Sequence, residues 1–220
     1  MTNNHNSLLA GILLLCMGAV TAGVVNFSPL LLRYVSERWG DGAVDRLQAW
    51  RSKELEGLAN RPNAQAVLNR DELQLFNSFW NRIPYFSDQE HWGISDYWAT
   101  PIETLASNGA DCEDYAIAKY FSLKELGVPP ESLRITYVRS LKVNEAHMVL
   151  AYYPAPNADP YILDNLTEKL VPASERDDLQ PVYSFNDDDL WTTTASFKGK
   201  SGQIRLWSEL LAKMERERRM

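Results

Sequence analysis

Cysteine is scarce in this chain: the 220 residues hold two, Cys16 and Cys112. Cys16 falls in an N-terminal segment expected to be removed, which leaves Cys112 without an intramolecular disulfide partner and makes it either a buried inert thiol or a reactive one. Histidine is almost as rare, with His5, His91 and His147 as the full set, so a general base of this type has few places to come from. An excess of positive charge is missing as well. The balance of 22 Lys and Arg against 29 Asp and Glu gives a formal charge of −7, which argues against nucleic acid as a partner. Internal repeats and low-complexity tracts are absent from the sequence.

What is present fits one globular domain, with 45% hydrophobic and 23% charged residues. The apolar run Leu8–Val25 ends in small residues, and Val20-Thr21-Ala22 places them where a signal peptidase reads. Residues 1–22 are expected to be an export signal cut after Ala22, with 23–220 as a single domain outside the cytoplasm. No Lys or Arg precedes the run, so an uncleaved membrane anchor is the competing expectation. A lipoprotein is not expected, because Leu14-Leu15 before Cys16 lacks the small residues of a lipobox. The tail Lys213–Arg219 mixes both signs and reads as a solvated helix end.

Helical spacing covers Ser28–Asn60, with a break near Trp39-Gly40-Asp41-Gly42. A second helix is expected from Pro62 to Pro84, on an apolar face of Val67, Leu68, Leu73, Leu75, Phe76 and Phe79. Tyr85–Asn108 has no clean period and reads as a loop with a short helix at Pro101–Ala106; its Trp and Tyr residues either line a groove or cover the core. Cys112–Leu126 is helical and stops at Gly127. The character then changes: Leu133–Val138 and Ala146–Tyr153 predict an antiparallel hairpin, with further strands at Tyr161–Asp164, Pro181–Phe185 and Ala195–Lys198, and a helix over Ile204–Glu217. The run Asp187-Asp188-Asp189 reads as a solvated turn or helix cap in preference to a cation site. The class is α+β, with helices packed on an antiparallel sheet.

Chemistry concentrates around Gly109-Ala110-Asp111-Cys112-Glu113-Asp114-Tyr115. Asp111 is a good N-cap and Asp114 stands at the capping-box position, so Cys112 is expected to open a helix, where unpaired amides and the peptide dipole favour a thiolate. The flanking carboxylates oppose that anion, and something must offset them. One offset is an imidazolium. His147 sits near the start of the second strand, on the face shared by Val149 and Ala151, and Asp164 ends the next strand. A nucleophile, base and orienting acid then follow in the order Cys112, His147, Asp164, with His91 as reserve base. The other offset is a divalent cation on Asp111, Glu113 and Asp114, whose oxygens suit calcium. The helix dipole alone also explains acidic residues at such a position, so both accounts stand.

These residues resemble a known family. Trp98-Ala99-Thr100-Pro101, the block Gly109–Tyr120, Glu145-Ala146-His147-Met148-Val149-Leu150 and Leu163-Asp164-Asn165 are similar to the bacterial transglutaminase-like cysteine proteinases, and within them to the LapG-type periplasmic proteases. The resemblance implies a papain-type or transglutaminase-like fold with Cys112, His147 and Asp164 catalytic and calcium on Asp111, Glu113 and Asp114. It further implies a calcium-dependent periplasmic protease that clips the N-terminal region of a large surface adhesin and so disperses biofilm. Such a protease is held in check by the periplasmic domain of an inner-membrane cyclic-di-GMP receptor. A transglutaminase or amidase acting on protein amides is the first rival, and a non-catalytic receptor-binding module the second. Trp98 is read as packing, with a role in an oxyanion pocket as the alternative.

Overall fold

A computed structural model describes residues 25–60, 67–192 and 198–220; the expected export segment, Pro62 and residues 195–197 of an expected strand lie outside them. Ser28 accepts the Leu31 amide and starts α1 (Pro29–Trp39), with a proline in the first turn, where its missing amide costs nothing. Gly40 stops it at φ +84°, and α2 (Asp41–Ala59) begins at the next residue, so the expected break is one residue wide. The second expected helix is shorter than its pattern. α3 spans Arg70–Trp80, because Asn69 and Glu72 each accept the other's backbone amide and fix the start well after Pro62.

The same reciprocal capping starts α4 (Asp88–His91) at Ser87 and Glu90, and α5 (Pro101–Ser107) at Thr100 and Glu103. Periodicity does not predict α4, whose single turn is too short to repeat an apolar position. α6 (Cys112–Glu125) is buried at every position from Asp114 to Leu123, as a central helix must be. On one side Ile117, Tyr120 and Leu123 join a core with Leu133, Ile135, Leu150, Leu163 and Phe185; on the other Tyr115 and Ala118 join Leu31, Val35, Leu47 and Trp50 of α1 and α2.

The sheet holds β1 (Leu133–Ser140), β2 (Glu145–Tyr152), β3 (Tyr161–Leu163), β4 (Val171–Pro172), β5 (Leu179–Phe185), β6 (Asp189–Thr192) and β7 (Lys198–Lys200), and α7 (Arg205–Arg218) closes the chain. All pairings are antiparallel, in the order β4-β3-β2-β1-β5-β6-β7. The hairpin of β1 and β2 closes on Ser140 opposite Glu145, with Asn144 at φ +56° in its turn. Alternation gives β2 two faces: Met148, Leu150 and Tyr152 enter the core beneath α6, while Val149 and Ala151 pack with Val138 and Ile162 on the reverse. β6 was hidden in sequence by the aspartates before it. Asn186 accepts the amides of Asp188 and Asp189 to make the expected turn into β6, and Asp187 pairs with Lys124.

β3 stops opposite Leu150, so nothing among the described residues pairs with β2 on that side nearer its start. The N-terminus of α6 meets β2 at this open edge. Among the described residues no helix is long and apolar enough to cross a membrane.

Candidate active site

Asp111 occupies the N-cap position of α6 in extended conformation, although its side chain makes no capping hydrogen bond, and Cys112 is the first helical residue. The thiol donates to Glu113 Oε2 at 3.1 Å and its sulfur accepts the Met148 amide at the open edge of β2. Burial, then the charge of Glu113, push this thiol up, and the Met148 amide offsets only part of that. Cys112 is therefore a thiol held by a carboxylate.

His147 is 3% exposed, and its Nε2 lies 2.7 Å from Asp164 Oδ1. Asp164 follows β3 directly, where the chain turns so that the Leu166 amide returns to Oδ1 at 2.9 Å. Oδ2 accepts Arg176 Nη2 at 2.7 Å. Burial alone would raise this carboxyl, but hydrogen bonds from His147, Leu166 and Arg176 together with the imidazole's charge outweigh it and bring Asp164 down to about 2. Cys112 and His147 both line an open cleft of about 530 Å³, walled by Trp98, Tyr137, Met148 and Tyr183. Trp98 is 5% exposed and stacks on Phe185 at 5.7 Å, a packing role on the cleft wall. His147 is thus bonded to Asp164 and shares a cleft with Cys112. His91 is elsewhere: its ring stacks on Phe86 and covers Gly109, where a Cβ would lie 2.3 Å from His91 Cε1.

Beside the sulfur, carboxylate oxygens of Asp88, Asp111 and Glu113 lie within 4.8 Å of one another. Asp111 and Glu113 belong to the expected metal set and Asp88 does not. Asp114, the third of the expected set, lies deeper. Successive helical residues diverge by roughly 100°, so Asp114 turns inward from Glu113, is 1% exposed, and its Oδ1 accepts the Ala99 amide at 2.7 Å. Asp111 Oδ1 and Asp114 Oδ2 are buried without a hydrogen-bond partner. Burial and then the charge of Glu113 push Asp111 far above the ordinary carboxylate range, and burial raises Asp88 to about 6. Carboxylates crowded and desolvated in this way, with oxygens left unpaired, suit a hard divalent cation and fit calcium. Asp88 carries no local sequence signal for this role, since it lies in the stretch without periodicity and reaches the cluster only through α4. Arg176 likewise reads in sequence as one more charge in a polar turn.

The family model of the bacterial transglutaminase-like cysteine proteinases matches residues 55–194, well over half of the chain. The chain belongs to that family. Solved structures of Legionella pneumophila LapG agree with it in fold. The EGTA-treated form is 37% identical with a TM-score of 0.72, over 87% of this chain and 100% of that one. The calcium-bound form is 38% identical with a TM-score of 0.69, over 84% of this chain and 97% of that one. None of the curated proteins compared matches the chain significantly. Membership makes this a transglutaminase-like cysteine proteinase, with an acidic metal-binding candidate next to its one described cysteine.

Proposed function

We propose that this proteinase is a calcium-dependent cysteine endopeptidase in which Cys112 is the nucleophile, His147 the general base and acid, and Asp164 the group that orients the imidazole. The observation that carries the reading is the 2.7 Å contact of His147 with Asp164, beside a cleft that both His147 and Cys112 line. With Nε2 engaged by Asp164, Nδ1 is the ring nitrogen left to take the thiol proton. The thiolate then attacks a peptide carbonyl in the cleft, with the amides at the start of α6 as donors to the oxyanion. His147 returns the proton to the leaving amine and afterwards draws one from water, which releases the acyl group and restores the thiol.

Calcium on Asp88, Asp111 and Glu113 supplies positive charge that offsets the carboxylates beside the sulfur. Support for that metal comes from the crowded, unpaired oxygens of this chain and from the relative solved with calcium. By resemblance to the LapG-type proteases, the substrate is the N-terminal region of a large surface adhesin, cut in the periplasm to release it and disperse biofilm. An inner-membrane cyclic-di-GMP receptor then controls access to the protease. The test is to incubate the purified protein with N-terminal adhesin fragments, with and without a chelator, and to read new N-termini by mass spectrometry. Cutting that Cys112→Ala abolishes and the chelator suppresses is expected. Crosslinked product without new N-termini would replace hydrolysis by transglutamination, and cutting indifferent to the chelator would remove the calcium requirement.

A further inference from the structure

We infer that Arg176 is a positioning residue for the reaction, holding Asp164 ionised and in one orientation from the side of the sheet away from the cleft; the inference rests on the reading of Cys112, His147 and Asp164 above. Arg176 lies on the connection from β4 to β5. Its amide donates to the Ala173 carbonyl at 3.0 Å and its own carbonyl accepts the Leu179 amide at 3.1 Å, so the backbone is fixed on both sides. The side chain is 8% exposed. Nε and Nη2 grip Asp178 at 2.7 and 2.9 Å, and Nη2 also reaches Asp164 Oδ2 at 2.7 Å.

Asp178 therefore aims the guanidinium, and the guanidinium aims Asp164. The two oxygens of Asp164 are divided, Oδ1 between His147 and the Leu166 amide, Oδ2 to Arg176. Rotation of the carboxylate gives up a hydrogen bond on one oxygen or the other, so its plane is set before substrate arrives. The charge matters equally. Asp164 is 1% exposed, and a carboxylate buried beside a neutral imidazole has no other directly bonded cation among the described residues to keep it ionised. Arg176 meets that need in the resting state, when His147 must be neutral to act as a base. Lys119, a further buried cation, donates to Asn81 Oδ1 at 2.6 Å, and Asn81 in turn donates to the Asp164 backbone carbonyl and to Glu168, not to the Asp164 carboxylate.

Arg176 lines a concavity on the reverse face of the sheet with Val149, Ala151 and Ile162, and is not part of the cleft wall. A residue placed there acts through Asp164 and leaves substrate binding alone. The experiment is a double-mutant cycle on the full chain with calcium, using the adhesin fragment that the wild type cuts. Arg176→Gln is expected to lower kcat roughly ten- to a hundredfold, the range for losing an outer partner of a site residue, with KM changed by less than about twofold. In an Asp164→Asn background the same substitution should cost less than about threefold, because the group it acts through is gone. Arg176→Lys should recover part of kcat. Asp178→Asn, at a position 30% exposed, should give an intermediate loss and serves if Arg176→Gln does not fold. A folded Arg176→Gln or Asp178→Asn with unchanged kcat overturns the inference, as do losses that multiply in the double mutant. If Asp164→Asn itself leaves kcat unchanged, the underlying catalytic reading fails instead.

Discussion

Replacing Glu54 by glutamine should stabilise the protein at neutral pH and do almost nothing below pH 5. Glu54 lies in α2 with no exposed surface; Oε2 accepts the Val25 amide at 2.9 Å, and Oε1 is buried with no partner. Burial, only partly offset by the Val25 amide, raises its carboxyl from 4.5 to about 8. A folded pKa above the unfolded one means that folding takes up a proton. The contribution to stability is then fully present below 4.5 and is lost as pH rises toward 8. At about 1.4 kcal/mol per pH unit, the loss is below about 1 kcal/mol at pH 5 and reaches roughly 3 kcal/mol at pH 7. Glutamine keeps the acceptor for the Val25 amide and cannot ionise, so Glu54→Gln escapes that loss. Urea unfolding of both proteins from pH 5 to 8 gives the difference directly, and other titrating groups, such as Glu217 raised to about 7, cancel because both proteins carry them. A stability difference that stays within about 0.5 kcal/mol across the range, the usual scatter of surface changes, would refute the reasoning.

The choice between imidazoles is settled by kinetics: His147→Ala should cut turnover by roughly a thousandfold or more, while His91→Ala, away from the cleft, should retain it; loss confined to His91→Ala would reverse the assignment. Calorimetric titration separates the two acidic sets, since Asp88→Ala should weaken calcium binding at least about tenfold, whereas Asp114→Asn keeps an acceptor for the Ala99 amide and should stay within a few-fold. Gly109→Ala should destabilise by about 1–3 kcal/mol and also weaken calcium binding, because the added methyl at 2.3 Å displaces His91 and with it the α4 turn that carries Asp88. Unfolding and calcium titration of the same variant check both effects.

Local rules carried far into this structure wherever a residue acts on its own neighbourhood. The break at Gly40, the start of α6 at Cys112 and the hairpin of β1 and β2 follow from backbone freedom, dipole preference and alternation, and each sits within a few residues of its expected place. Expectation diverged where a cap competed with a period: the apolar face that runs on from Val67 suggests a longer α3, but the Asn69 and Glu72 pair determines where the helix can begin. α4 was illegible for a related reason, being too short for any repeat to register, and β6 because a short strand follows directly on a run of aspartates.

The site divides in the same way. Cys112, His147 and Asp164 are readable because one helix start and two adjacent strands place them, and those elements have strong signals. Their charge environment is not readable, because it arrives from elsewhere in the chain: Asp88 on a one-turn helix, Arg176 on a polar connection, the Ala99 amide that draws Asp114 inward. Each is fixed by where a loop passes in space. α6 explains why such distant groups can converge at all. With cores on both sides it is held along its buried length, and the loop from Tyr85 to Asn108 is tied to its first turn by the Ala99 amide on Asp114. Cys112 is thereby set by the interior of the protein, whereas the charged groups around it are set by the connections. Substitutions in those connections should accordingly alter metal affinity and turnover before they alter the fold.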